Sequence, residues 1–243
     1  MENYIAIELP SKCLAYEGVD AASIQVRGLK GKDEKLIAEM TAGNANKKFV
    51  SVLKNVLKGV DPVKLTLGDR KFILMWLTVN SYGPRYVETI VCDECLGKHQ
   101  VEVDLASIEV KELPLDFVQP VEKELSGGKK IHLRLLTVAD ELAVDSFESS
   151  GKVSGWLYRY ALSLVDDKMD MGAKINFLEE LPVGDLAVIR AFHEEVDHGP
   201  DMKVNYVCSD PECGHAGRII LPFRVDMVFR YGEALQRFVR QTV

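Results

Sequence analysis

The chain has 243 residues, 47% hydrophobic and 28% charged, which is the composition of an ordinary globular protein and enough length to bury a core without help from a metal. Thirty basic against 37 acidic side chains leave a net charge of -7, which excludes a broad attraction to a phosphate backbone and leaves nucleic acid only a local patch. The opening residues lack the pattern of a signal peptide, and the richest apolar stretch, Phe72 to Leu77, is far too short for a membrane span, so the chain reads as soluble and made in the cytosol.

In chain order, the alternation from Tyr4 to Leu9 predicts a strand closed by Pro10, with Ala22 to Val26 as its partner. Cys13, outside any pair, reads as a small buried hydrophobe. From Asp33, the spacing of Leu36, Ile37 and Met40 predicts one helix, and Phe49, Val50, Leu53, Val56 and Leu57 predict a longer one ended by Gly59. Lys47, Lys48, Lys54 and Lys58 lie mostly off that apolar face and read as a solvated surface, with a binding patch as the alternative.

Thr66 is placed to cap a helix whose first turn carries Asp69 and whose body runs Phe72, Ile73, Leu74, Met75, Trp76, Leu77 and Val79. A helix apolar on nearly every side must be buried on nearly every side. It is expected to be the central helix of the N-terminal half, stopped by Ser81-Tyr82-Gly83-Pro84, with Trp76 and Tyr82 in core packing.

Tyr86 to Val91 then reads as a strand running into Cys92-Asp93-Glu94-Cys95, and Gln100 to Leu105 as the returning strand. Much later, Lys203 to Val207 leads into Cys208-Ser209-Asp210-Pro211-Glu212-Cys213, and Arg218 to Leu221 leads out. This weak internal repeat places two thiolates at the tip of each of two hairpins. Two such pairs supply a closed tetrahedral sulfur set, so Cys92, Cys95, Cys208 and Cys213 are the expected ligands of one structural zinc. Disulfides are the alternative for a protein that ends up outside a cell, while a thioredoxin-like redox pair lacks its helix start. His99 and His215 lie close enough to replace a sulfur, but four cysteines complete the site and both read as surface-loop residues. The four-residue spacing of the second pair makes its turn the less standard of the two.

Between the pairs, Pro114 and Pro120 bracket an extended linker, and Gly127-Gly128 predicts a hairpin turn before a strand from Lys130 to Leu136. Thr137 with Asp140 and Glu141 starts a helix to Phe147, and after Gly151 to Gly155 a strong helical face runs from Trp156 to Val165. A short helix is expected over Ile175 to Leu181, and Pro182 to Asp185 lead into one carrying Leu186, Val188, Ile189, Phe192 and Val196. His193 to His198 resembles a zinc-protease motif, but Asp197 stands where the second histidine must be. It reads as a polar helix end stopped by Gly199-Pro200, with a noncanonical metal site as the alternative. Asp166, Asp167 and Asp170 read as a solvated turn, and Gly127 to Lys130 lacks the rest of a phosphate loop. No nucleophile elbow or dinucleotide fingerprint is present, so the expectation is a protein that is not an enzyme.

The fold class expected is α+β: a helical and mixed domain with a split four-cysteine zinc-ribbon-like module and a mostly helical insertion. The boundaries are 1-84 for the N-terminal region with the buried helix, 85-110 and 200-224 for the split module, 111-199 for the insertion, and 225-243 for an apolar and basic tail. That tail, with Met227, Val228, Phe229, Tyr231, Leu235 and Phe238 among Arg230, Arg237 and Arg240, suits docking on a neighbour or packing on its own core.

Leu65-Thr66-Leu67-Gly68-Asp69-Arg70 with the apolar helix, Ser81-Tyr82-Gly83, the strand into Cys92 and Cys95, Val101 to Leu105, and His132 to Leu136 leading to Ala139-Asp140-Glu141 resemble the T4-like bacteriophage baseplate proteins over residues 60-221. The resemblance implies a structural subunit of a contractile tail baseplate or its hub, without catalysis or a small-molecule substrate. Its partners would be other phage tail and baseplate proteins (hub, wedge or tube neighbours), and its place the virion after assembly in the bacterial host cytoplasm. The alternative is a zinc-ribbon adaptor binding nucleic acid or a nucleic-acid enzyme. That role calls for basic or aromatic residues around the knuckles, where Asp93, Glu94, Asp210 and Glu212 stand instead.

Overall fold

A computed structural model describes residues 3-41, 43-149 and 155-222, which form seven α-helices and five small antiparallel sheets of two or three strands. The fold is thus mixed α+β. The tail over 225-243 and most of the Gly151 to Gly155 interruption lie outside the described residues.

The first alternating stretch keeps two residues in strand, β1 (Ile5–Ala6), paired antiparallel with β2 (Gln25–Val26) as the sequence implies. Helices α1 (Gly31–Ala38) and α2 (Ala45–Val56) follow. Leu57, which helical spacing assigns to α2, instead starts β3 (Leu57–Lys58) on the free edge of β2. The turn after it needs Gly59, whose φ is 92° and whose Cβ would lie 2.5 Å from the Ser23 carbonyl oxygen. Lys47, Lys54 and Lys58 are exposed, Lys58 with its Nζ 3.8 Å above the Tyr4 ring, while Lys48 is half-buried and pairs with Glu39 at 2.5 Å. Cys13 is buried, as a small hydrophobe should be.

Helix α3 (Leu67–Tyr82) starts where the sequence places it, with the Thr66 hydroxyl accepting from the Asp69 N–H at 3.2 Å, and it ends at Gly83 with φ 92°. One side packs Ile73, Leu74 and Leu77 against Ile24, Val26, Val52, Leu53 and Val56. Another contributes Met75 and Val79 to a second buried cluster with Tyr86, Val103, Leu105, Met202 and Leu221. This all-round burial is what its sequence requires, and the second cluster seats both cysteine-bearing hairpins on one helix.

The first of those hairpins is β4 (Arg85–Val91) with β5 (Lys98–Asp104), in register from Arg85 opposite Asp104 to Val91 opposite Lys98. After the short β6 (Val110–Lys111) comes the hairpin β7 (Val121–Glu124) and β8 (Lys130–Leu133), turned by Gly127 and Gly128 at φ 80° and 81°. Strand β8 stops three residues before its predicted end. Arg134 N–H is taken by the Ser163 carbonyl at 2.9 Å, and Arg134 closes a bidentate pair with Asp140 at 2.7 and 2.8 Å.

Helices α4 (Val138–Ser149), α5 (Gly155–Ser163), α6 (Met171–Glu179) and α7 (Val183–Glu195) complete the insertion. Helix α6 begins four residues earlier than its apolar residues suggest, because the Asp170 side chain accepts from Ala173 N–H and caps it there. A third buried cluster joins the hairpin to these helices through Leu125, Ile131, Leu133, Leu157, Ala161, Leu178, Ile189 and Phe192.

Gly199-Pro200 is a helix stop in the sequence and a strand in the structure. It forms β9 (Gly199–Pro200) against β6, Val110 opposite Pro200, and so returns the chain to the base of the first hairpin before β10 (Lys203–Val207) and β11 (Ala216–Ile220). The crossing is tight: a Cβ on Gly68 would lie 2.4 Å from the His198 carbonyl oxygen. His198, read from sequence as part of a polar helix end, is buried at 4% exposure. Its Nδ1–H donates to the Val196 carbonyl at 2.9 Å, so Nε2 accepts from the Thr66 hydroxyl at 2.7 Å. Beneath it Asp69, fully buried, accepts from Ser11 N–H at 2.9 Å, Ser11 Oγ–H at 2.5 Å and the Tyr16 hydroxyl. A polar knot of distant residues therefore holds the start of α3. No helix among the described residues is long and apolar enough to cross a membrane.

Candidate metal centre

Each knuckle is closed by the strands that carry it. Cys92 directly follows β4, and its N–H donates to the Gly97 carbonyl at 2.9 Å; Cys208 directly follows β10, and its N–H donates to the His215 carbonyl at 2.7 Å. In the first turn, Leu96 takes a φ of 57° and its N–H donates to the Cys92 carbonyl at 3.0 Å. In the second, Gly214 takes a φ of 55° and its N–H donates to the Asp210 carbonyl at 3.0 Å. The two turns are thus the same around their second cysteine, with Asp210 standing where Cys92 stands. The longer spacing moves Cys208 back onto the strand end without changing the turn, and the Asp210 carboxylate secures it by accepting from Glu212 N–H at 3.0 Å.

The two hairpin tips meet crosswise. Cys92 Sγ lies 3.9 Å from Cys213 Sγ, and Cys95 Sγ lies 3.8 Å from Cys208 Sγ. Sulfurs at about 2.3 Å from one tetrahedral zinc are separated by about 3.8 Å, so both distances match shared coordination. Among the described residues, Cys92, Cys95, His99 and Cys208 form a group whose ligand atoms all lie within 4.8 Å of one another, which is compatible with zinc.

The electrostatics are uneven. Backbone N–H groups of Cys95 and Glu94 favour the Cys92 thiolate against its burial and bring that thiol down to about 6. Burial pushes Cys208 up to about 12, with the neighbouring sulfurs adding to the effect. Four sulfurs this close repel one another as thiolates, and a divalent cation removes that conflict. The Tyr206 hydroxyl, on β10, is buried without a hydrogen-bond partner of ordinary geometry, and burial together with the Cys92 sulfur pushes its ionisation up. A metal-held Cys92 thiolate would accept a hydrogen bond from that hydroxyl. Gly217 opposite makes room for the ring, since a Cβ there would sit 2.7 Å from it.

All four cysteines singled out by spacing therefore lie at the hairpin tips, and one residue dismissed as a surface loop joins them. His99 is half-buried on β5, with Nε2 3.2 Å from Cys208 Sγ and 3.6 Å from Cys95 Sγ. Its signal was the strand period: His99, Val101 and Val103 alternate onto the inward face. His215 instead packs edge-on to Tyr206, ring centroids 6.3 Å apart. Asp93, Glu94 and Glu212 are exposed around the tips. His193 of the false protease motif stacks on Tyr160 at 5.5 Å, and burial, then Arg159, hold its imidazole down to about 4.

Comparison with curated proteins and with solved structures finds no match. The model of the T4 bacteriophage base plate protein family matches residues 1–230, nearly the whole chain, and the chain belongs to that family.

Proposed function

We propose that the chain is a non-enzymatic structural subunit at the hub of a contractile phage tail baseplate, or in hub assembly, with one structural zinc bound by Cys92, Cys95, Cys208 and Cys213. Family membership supports the baseplate role. The crosswise approach of the sulfurs, 3.9 Å for Cys92 to Cys213 and 3.8 Å for Cys95 to Cys208, carries the zinc reading. The metal would neutralise the thiolates and lock two otherwise isolated two-stranded hairpins, which are marginal alone, into one module on α3.

On this reading residues 1-84, the split module 85-110 with 200-224, and the insertion 111-199 are three units; among the described residues most of each buried cluster falls within one of them, with Val138 joining the insertion to the first and Met75 joining the first to the split module. The insertion and the 225-243 segment would meet other tail and baseplate proteins, after assembly in the host cytoplasm, in the finished virion. Elemental analysis of the purified full chain tests the metal and is expected to give one zinc per chain; a metal-free protein with intact fold overturns it. Imaging of purified tails tests the place. Density for this chain beside the hub is expected, and its consistent location at the tail periphery refutes the hub assignment.

A further inference from the structure

The hairpin tips carry five donors where a closed zinc site uses four. The fifth is His99. In a tetrahedral site with one nitrogen and three sulfurs, the nitrogen lies about 3.5 Å from each sulfur. His99 Nε2 lies 3.2 Å from Cys208 Sγ and 3.6 Å from Cys95 Sγ, which bracket that value. Two further features of the chain serve this ring.

His99 Nδ1 is 2.8 Å from Ser209 Oγ, on the other knuckle. A histidine that binds metal through one nitrogen donates the other N–H to an acceptor that fixes its tautomer, and Ser209 is such an acceptor. Gly97 supplies the space: a Cβ there would stand 3.0 Å from His99 Nε2 and 3.3 Å from Cys95 Sγ. Any side chain at that position presses on the imidazole and the sulfur together.

Cys213 is the thiol whose place His99 can take. It contacts Cys92 at 3.9 Å but stands outside the group formed by Cys92, Cys95, His99 and Cys208, all of whose ligand atoms are within 4.8 Å of one another.

We propose that His99 is an alternate metal ligand: the zinc is held by Cys92, Cys95 and Cys208 at all times, and its fourth position exchanges between Cys213 Sγ and His99 Nε2. The proposal rests on the zinc reading above and adds a built-in exchange to it. The centre keeps its metal when the Cys213 knuckle is pulled away. When Cys213 leaves, His99 enters as a neutral imidazole with its proton on Nδ1 toward Ser209, so the metal keeps four protein donors and the net charge of the centre rises by one.

The test uses the full chain loaded with cobalt(II) in place of zinc, read by its ligand-field bands, and zinc affinity by competition with a chelator. The wild type is expected to show bands of mixed sulfur-only and three-sulfur-one-nitrogen sites, and His99→Ala to leave the sulfur-only set. Cys213→Ser should retain one metal per chain with the nitrogen-containing spectrum. Adding His99→Ala to it should weaken binding by about 100-fold or more, beyond what loss of an outer hydrogen bond produces, and change the bands again. Adding Cys95→Ser to Cys213→Ser leaves only Cys92, Cys208 and His99 and should lose the metal.

Identical spectra for wild type and His99→Ala overturn the proposal, and so does a Cys213→Ser chain whose affinity ignores His99. The first comparison needs no cysteine variant, so it decides the matter even when Cys213→Ser fails to fold. A wild-type chain that binds neither zinc nor cobalt overturns the zinc reading itself.

Discussion

Arg27 and Asp33 offer a quantitative test of the N-terminal core. The two side chains are 1% and 0% exposed and joined by bonds of 2.7 and 3.3 Å; Asp33 also accepts from Lys30 N–H at 2.9 Å and from Asn55 Nδ2 at 3.2 Å. Burial by itself would push the Asp33 carboxyl up, but the Arg27 guanidinium, the Lys30 N–H and Asn55 hold it below its ordinary value. Replacing Arg27 by Met keeps much of the volume and strands a buried carboxylate, at a cost of about 3–5 kcal/mol. That is a large share of the about 5–15 kcal/mol expected for a whole domain.

Asp33→Leu in the same background removes the stranded charge, and the double variant should lie within about 1 kcal/mol of the wild type, the residual being the lost bonds from Lys30 N–H and Asn55 Nδ2. The pH dependence has a definite sign. In the wild type the depressed Asp33 contributes stability above its unfolded pKa of about 3.9, and loses it as pH falls through the lower folded value. In Arg27→Met the folded pKa is raised instead, so the deficit is full at neutral pH and shrinks as Asp33 protonates on acidification. Urea denaturation at pH 7 and pH 4 measures both effects. A loss below about 1 kcal/mol for Arg27→Met, or a deficit that grows on acidification, refutes the account.

Three further outcomes are expected. Adding a zinc chelator should abolish amide-exchange protection in β4, β5, β10 and β11 while leaving α2 and α3 protected, since these have their own buried cluster; uniform loss across the chain would contradict the division. Gly68→Ala should destabilise by about 1–2 kcal/mol, because about 1 kcal/mol of helix propensity is outweighed by overpacking against the His198 carbonyl oxygen 2.4 Å from the new Cβ, a backbone atom that cannot rotate aside. A thermal melt at or above the wild-type midpoint counts against that contact. Asp140→Asn should cost about 2 kcal/mol at neutral pH through its charged bonds to Arg134 at 2.7 and 2.8 Å. Burial opposes the Asp140 carboxylate, but Arg134 and Thr137 bring its pKa below the ordinary value, so this difference should close as pH falls through the folded pKa; denaturation midpoints that keep a constant gap would argue otherwise.

Legibility in the sequence followed the range of the forces involved. Thr66 as cap, the buried character of α3, the Gly127-Gly128 turn and both strand-knuckle-strand units are set by neighbours a few residues apart, and each was readable from caps, periods and spacing. Leu57 misled because its apolar spacing fits the helix, while the open edge of β2 pulls it into a strand. Gly199-Pro200 misled in the same way: its local signature is a stop, but β6 from a distant part of the chain supplies the pairing.

The sequence alone determined that four cysteines stand in two pairs on hairpin tips, that the middle helix must be buried, and which family the chain resembles. Tertiary structure decided the crosswise meeting of the tips, the entry of His99 beside the sulfurs, and the burial of His198 against Thr66. Those are contacts between residues about a hundred or more positions apart, and no local period encodes them. The tips meet because Met75 and Val79 on one helix seat both hairpins on a common apolar floor, and His198 meets Thr66 because the β9 return crosses the start of α3.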